Sequence, residues 1–171
     1  LKKAKVSFLG AFGKEPTGFS VILDSTEHER TILTYKGANS LLFPRDIKAN
    51  KLKTKWFYFS SLSGESIETQ KKLAFLAVKN KIPIAYNPSS YLTKQGPEFL
   101  KEILQKTHIL ILNEEEAKDL VPHDDLFNGL HALGPKIVCI TYGKKGNAIS
   151  NTKQFITSLP RNVEIKERTG A

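Results

Sequence analysis

"HILILNEEEAKDLV", residues 108–121, decides the fold. Its first six residues form an apolar run that ends in Asn113, and the next eight begin a helix. A short strand with no polar face, followed at once by a helix, is the unit of a parallel sheet buried under helices. The pattern repeats on both sides of this stretch. "WFYFS" (56–60) reads as a buried strand, "ESIETQKKLAFLAVKN" (65–80) as a helix with Ile67, Leu73, Leu76 and Ala77 at helical spacing, and "IPIAYN" (82–87) as a strand. "PEFLKEILQK" (97–106) is predicted as a helix with Pro97 at its first position and Phe99, Leu100, Ile103 and Leu104 inward. "DLFNGLHAL" (125–133) is a further helix, "KIVCITYG" (136–143) a strand and "NAIS" (147–150) a shorter one. The expectation is an α/β fold of βαβ units, with a parallel sheet covered on both faces. The first forty residues differ. "GFSVILD" and "ERTILTYKG", joined by the polar "STEHE", predict an antiparallel hairpin flap with no helix between its strands.

The bulk composition narrows the class. A chain of 171 residues is long enough for one domain with a core, and its 40% hydrophobic and 25% charged residues fit a globular protein rather than a disordered one. No apolar run reaches the length of a membrane span, and no basic-then-apolar signal opens the sequence. The single Cys139 cannot form an internal disulfide, so a reducing cytoplasm is expected. Leu1 comes first and methionine is absent, so the sequence is expected to be either a fragment or one from which residues have dropped out. The net charge of +9 would suit nucleic acid or phosphate ligands. Yet the lysines are scattered (Lys2, Lys3, Lys5; Lys48, Lys51, Lys53, Lys55; Lys71, Lys72), with no aromatic residues interleaved as a stacking platform requires. The expectation is a solvated basic surface, with no nucleic-acid or membrane partner. A basic nucleic-acid-binding domain would need its lysines clustered on one face.

Ligands of an open parallel sheet bind beyond the carboxyl ends of its strands. Ser60-Ser61, Asn87-Pro88-Ser89-Ser90, Asn113-Glu114-Glu115-Glu116 and Thr141-Tyr142-Gly143 all follow predicted strands. These four segments define one binding edge. Asn113 and Glu116 also have the spacing of a capping box, a role that needs no ligand and that can coexist with one. Gly143 and Gly146 mark a loop where backbone can approach a flat or anionic ligand, and Gly37 suits a hinge beside Asn39. The four histidines, His28, His108, His123 and His131, form no metal-ligand spacing. No P-loop, dinucleotide fingerprint or nucleophile triad is present.

"TGFSVIL" (17–23), "RTILTYKGAN" (30–39), "AYNPS" (85–89), "LNEEEA" (112–117), "ITYGKKG" (140–146) and "RTGA" (168–171) together resemble the ribokinase-like carbohydrate kinases, also called the phosphofructokinase B family. The resemblance implies a three-layer Rossmann-type sheet with a β-hairpin lid. Residues 1–40 would belong to the lid and 41–171 to the nucleotide- and sugar-binding domain. It implies transfer of a phosphoryl group from ATP, with Mg²⁺, to a hydroxymethyl group of a sugar. An adenosine-like nucleoside kinase or a catalytically dead binding module is the alternative.

Carried onto this sequence, the resemblance places Asn113, Thr141, Gly143, Gly146 and Thr169 around the nucleotide. It places Glu116 on the Mg²⁺ water shell, and Asn39, Ser61 and Asn87 on the substrate side. Gly170 and Ala171 would be two-thirds of an anion hole, and the lid could pair two copies. The family's motif continues Gly-Asp after Ala171, with the Asp as base, so the chain is expected to be an internal piece, truncated at both ends and inactive alone. Glu167 and Arg168 stand where the family favours Asp-Thr. Ser61 stands where ribokinases place a carboxylate, which argues against ribose itself.

Overall fold

The computed structural model describes residues 9–24, 30–122 and 124–160. The hairpin consists of β1 (Thr17–Asp24) and β2 (Arg30–Gly37), antiparallel and paired only with each other. The second sheet has six strands in chain order. β3 (Phe57–Phe59), β4 (Ile84–Tyr86), β5 (Ile109–Asn113) and β6 (Ile137–Thr141) are parallel, and β7 (Asn147–Ser150) and β8 (Phe155–Ser158) follow antiparallel. Between the parallel strands lie α1 (Ser66–Lys79), then α2 (Ser89–Thr93) and α3 (Pro97–Leu104), then α4 (Glu114–Leu120) and α5 (Leu126–Ala132).

Right-handed crossovers that all advance in one direction put every helix on one face of the sheet. Burial shows which face. Phe59, Tyr86, Leu110, Leu112, Val138 and Ile140 are buried in one core with Ala74, Ala77, Leu100, Ile103, Leu104 and Leu130 from the helices. The alternate residues Ala85, Ile109, Ile111, Ile137 and Cys139 are half-buried, and Tyr58 is 65% exposed. The expected cover on both faces is therefore met on one face by the described residues, and the other is an open apolar surface. A strand can be apolar on both sides before both sides are covered, which is why "HILILN" reads as fully buried.

Two elements left no readable pattern. α2 has five residues, too few to show a helical period, and β8 is exposed along its whole length, so no alternation marks it. One inward assignment is corrected: Phe99 is 40% exposed, while Leu100, Ile103 and Leu104 are fully buried. Those three already fill the stripe that α3 presents, and Phe99 sits at its margin.

The hairpin joins the body through residues 38–51, which form three 3-10 turns. α1 holds this connector from one side. Ser66 Oγ accepts from the Leu42 amide at 2.8 Å, Thr69 Oγ1 donates to the Leu42 carbonyl at 2.6 Å, and Lys72 Nζ donates to the Pro44 carbonyl. Positions 66, 69 and 72 recur every three residues, so their side chains share one helix face. Gly37 ends β2 at φ +48°, and a Cβ there would meet the Pro16 carbonyl at 2.4 Å. The backbone at position 37 therefore requires glycine. Phe19, Val21, Leu33 and Tyr35 lie together on an exposed hairpin face. Lys36 reaches the body, its Nζ 5.5 Å from the Tyr91 ring centre on α2. Among the described residues no helix is long and apolar enough to cross a membrane.

Candidate active site

The carboxyl ends of the parallel strands carry the candidate residues, as the topology requires. Asn113 and Thr141 are register partners across β5 and β6, and Thr141 Oγ1 donates to the Leu112 carbonyl at 3.4 Å. The Asn87 amide donates to the Phe59 carbonyl at 2.9 Å, which holds the end of β4 beside Ser60 and Ser61. Ser61 and Asn87 are half-buried. Asn39, in the first 3-10 turn, is exposed and lies against β1. A Cβ on Gly18 would come within 2.6 Å of its Nδ2, so glycine at 18 makes that approach possible. Thr169, Gly170 and Ala171 lie outside the described residues.

The capping box at β5–α4 forms in full. Asn113 Oδ1 accepts from the Glu116 amide at 2.8 Å, and Glu116 Oε2 accepts from the Asn113 amide at 2.9 Å. This fixes two orientations. The Oδ1 end of Asn113 faces the helix, so its Nδ2 end, which meets no protein acceptor among the described residues, faces the exposed edge. Glu116 is only 7% exposed, and its Oε1 meets no protein donor there. One carboxylate oxygen serves the fold, and the other is left for water.

The neighbouring loop folds over the same corner. The Tyr142 amide donates to the Gly146 carbonyl at 2.8 Å, and the Gly146 amide to the Gly143 carbonyl at 3.1 Å. Gly143 at φ +57° and Gly146 at φ +94° supply backbone that side chains disfavour. The Lys118 ammonium, bonded at 2.7 Å, holds the Glu114 carboxyl below its ordinary range, with a weaker contribution from the Lys145 charge. Burial first, and then the Glu114 charge, push the Tyr142 phenol up.

Three supports were not visible in the sequence. Gln70 Nε2 donates to the Ser60 carbonyl at 2.7 Å, so a fully buried helix residue positions the β3 end. Ser89 sits at φ +60° with its amide 3.3 Å from Asn87 Oδ1, which turns the chain sharply after β4. Thr93 Oγ1, fully buried, donates to Asp119 Oδ2 at 2.7 Å and ties α2 to α4. Thr93→Val keeps the shape and leaves Asp119 without this donor. It should cost about 1–3 kcal/mol in urea unfolding, the range for an orphaned partly buried acceptor. His131 accounts for both of its ring nitrogens structurally, with Nδ1 2.9 Å from the Pro135 carbonyl and Nε2 3.1 Å from Ser150 Oγ. A small cavity of about 100 Å³ lies elsewhere, lined by Leu9, Asp46, Lys48 and Lys51 among others, and contains none of the candidate residues.

A model of the pfkB family of carbohydrate kinases matches residues 1–171. The chain belongs to that family. Its curated relatives include an ATP-dependent 6-phosphofructokinase from Thermoanaerobacterium thermosaccharolyticum, 25% identical over 163 residues, covering 88% of this chain and 51% of the relative. An adenosine kinase structure from Sinorhizobium meliloti superposes with TM-score 0.76 at 21% identity, covering 90% of this chain and 50% of that one. A ribokinase structure from Thermotoga maritima gives 0.72 at 21%, covering 88% and 50%. The fold is thus that of the ribokinase-like kinases. This pfkB-family chain spans about half the length of the relatives it matches.

Proposed function

We propose that the chain is part of an ATP-dependent kinase that transfers a phosphoryl group to a hydroxymethyl group of a sugar or nucleoside. The observation that carries this reading is the corner formed by Asn113, Glu116 and Thr141 at adjacent strand ends, with the exposed Asn113 Nδ2 facing outward. Phosphate oxygens only accept hydrogen bonds, and the cap turns the donating end of this amide toward them. Thr141, Gly143 and Gly146 border the nucleotide with strand end and turn backbone, and the family motif assigns Thr169 to the same ligand.

Mg²⁺ fits the residues present. No group of three candidate ligands exists among the described residues, whereas a buried carboxylate with one unengaged oxygen suits a cation held through water. When bound, the ion neutralises charge on the phosphate oxygens. Glu116 would hold that ion through water. Gly170 and Ala171, outside the described residues, are assigned by the family motif to an anion hole, where fixed backbone donors lower the barrier most. Asn39, Ser61 and Asn87 bind acceptor hydroxyls. The hairpin closes over them with Gly37 as its hinge, and its exposed Phe19–Tyr35 face pairs with a second copy.

ADP release by the full-length protein tests this reading. The acceptors are a sugar, a sugar phosphate and a nucleoside, the classes that the named relatives suggest. Turnover with one class that stops when Mg²⁺ is chelated is the expected result. ATP binding without turnover on any acceptor would mark a binding module instead, and no ATP binding would sink both.

A further inference from the structure

The opposite edge of the sheet has its own chemistry. The four parallel strands are in register, so the segments that enter them lie side by side: 53–56, 79–83, 105–108 and 134–136. These segments contain Lys53, Lys55, Lys79, Lys81, Lys106 and Lys136, and no aspartate or glutamate. The β7–β8 turn reaches the same edge, because Ser150 pairs with Val138, and it adds Lys153. The ion pairs among the described residues engage Lys71, Lys101 and Lys118, and none of these edge lysines. The glutamates that follow β5, Glu114 to Glu116, lie at the other end of the sheet. Lysines that look scattered along the chain are thus gathered on one edge by the topology.

An aromatic residue stands among them. Trp56 lies between Lys55 and β3, is 46% exposed, and meets the His108 ring edge-on at 5.5 Å. The neighbouring ring holds the indole while leaving nearly half of it open. A cationic row beside an open indole is the pairing that single-stranded nucleic acid uses, with phosphates on the lysines and a base on the ring. Parallel strands about 4.8 Å apart give four strands a span of about 15 Å. A span of that length admits a few successive phosphates of an extended single strand. An acidic protein surface would use the lysines but leave the indole without a role.

We propose that this basic edge binds single-stranded nucleic acid, with Trp56 stacking on a base, at the end of the sheet away from the candidate active site. Trp56 is the only tryptophan in the chain, so its fluorescence reports the event directly. The test titrates the chain with oligo(dT) at 50 and 200 mM salt. The expected result is quenching of Trp56, with affinity falling roughly tenfold between the two salts, as release of two to three counterions per site requires. Lys55→Glu with Lys81→Glu should lower affinity at least tenfold at an unchanged melting temperature. Trp56→Phe, followed with a labelled oligonucleotide, should weaken binding with the salt slope intact. Absence of binding at 50 mM salt overturns the proposal. Binding without quenching overturns it too, because the strand would lie elsewhere. Equal or tighter binding to polyglutamate or phosphatidylserine vesicles would assign the edge to an acidic protein or a membrane surface and also overturn it.

Discussion

Glu116→Gln should lower turnover of the full-length kinase on the order of 10- to 100-fold, the usual cost of altering a group that orients a metal's shell. The Mg²⁺ concentration needed for half-maximal rate should rise with it. The melting temperature should hardly move. Glutamine serves the last position of a capping box as glutamate does, so its amide oxygen can still accept from the Asn113 amide. The substitution therefore separates the observed cap from the role proposed for the carboxylate toward Mg²⁺. Glu116→Ala removes both, and should add a stability loss of about 1 kcal/mol, the typical worth of a cap. Rates and a Mg²⁺ titration for both variants, with thermal melts alongside, check the pair. Unchanged turnover in Glu116→Gln would reduce the carboxylate to a helix cap.

Gly146→Ala should be far more damaging to the fold. Gly146 lies at φ +94° and ψ −140°, a conformation that costs a side-chain-bearing residue roughly 1–3 kcal/mol. A Cβ would also stand 2.0 Å from the Ser158 carbonyl oxygen of β8, and backbone cannot swing aside as a side chain can. Together these should cost about 3 kcal/mol or more, read as a lowered urea midpoint. Gly143→Ala is the internal comparison. Its φ of +57° carries strain of about 1–2 kcal/mol, but no atom lies within 4 Å of the added methyl. Equal losses at the two positions would show that the contact with β8 contributes nothing.

The sequence was most legible where burial and period coincide. The strand "HILILN", the helix of residues 66–79 and the hairpin turned out as expected because each has a periodicity set by the face it buries. The capping box was equally readable, since four consecutive residues determine it. Supports that act across long separations were not. Nothing local to Gln70 or Thr93 says that one will hold the Ser60 carbonyl and the other Asp119; Gln70 reads as an ordinary helix-surface polar residue, and Thr93 lies in a stretch with no readable pattern. The lysines failed for the same reason. Lys55, Lys81, Lys106 and Lys136 are far apart in sequence, and only strand register makes them neighbours. The open second face escaped notice because apolar residues on both sides of a strand do not say when each side is covered.

The six-stranded sheet is ordered in space as it is in the chain. Each new strand docks on the one synthesised just before it, and the intervening helix closes the loop locally. Low sequence separation between contacts favours fast folding, because little chain entropy is lost before a contact is made. This half of the fold can therefore grow by addition at one edge, following translation strand by strand, with no pairing among its six strands held up for a partner still inside the ribosome.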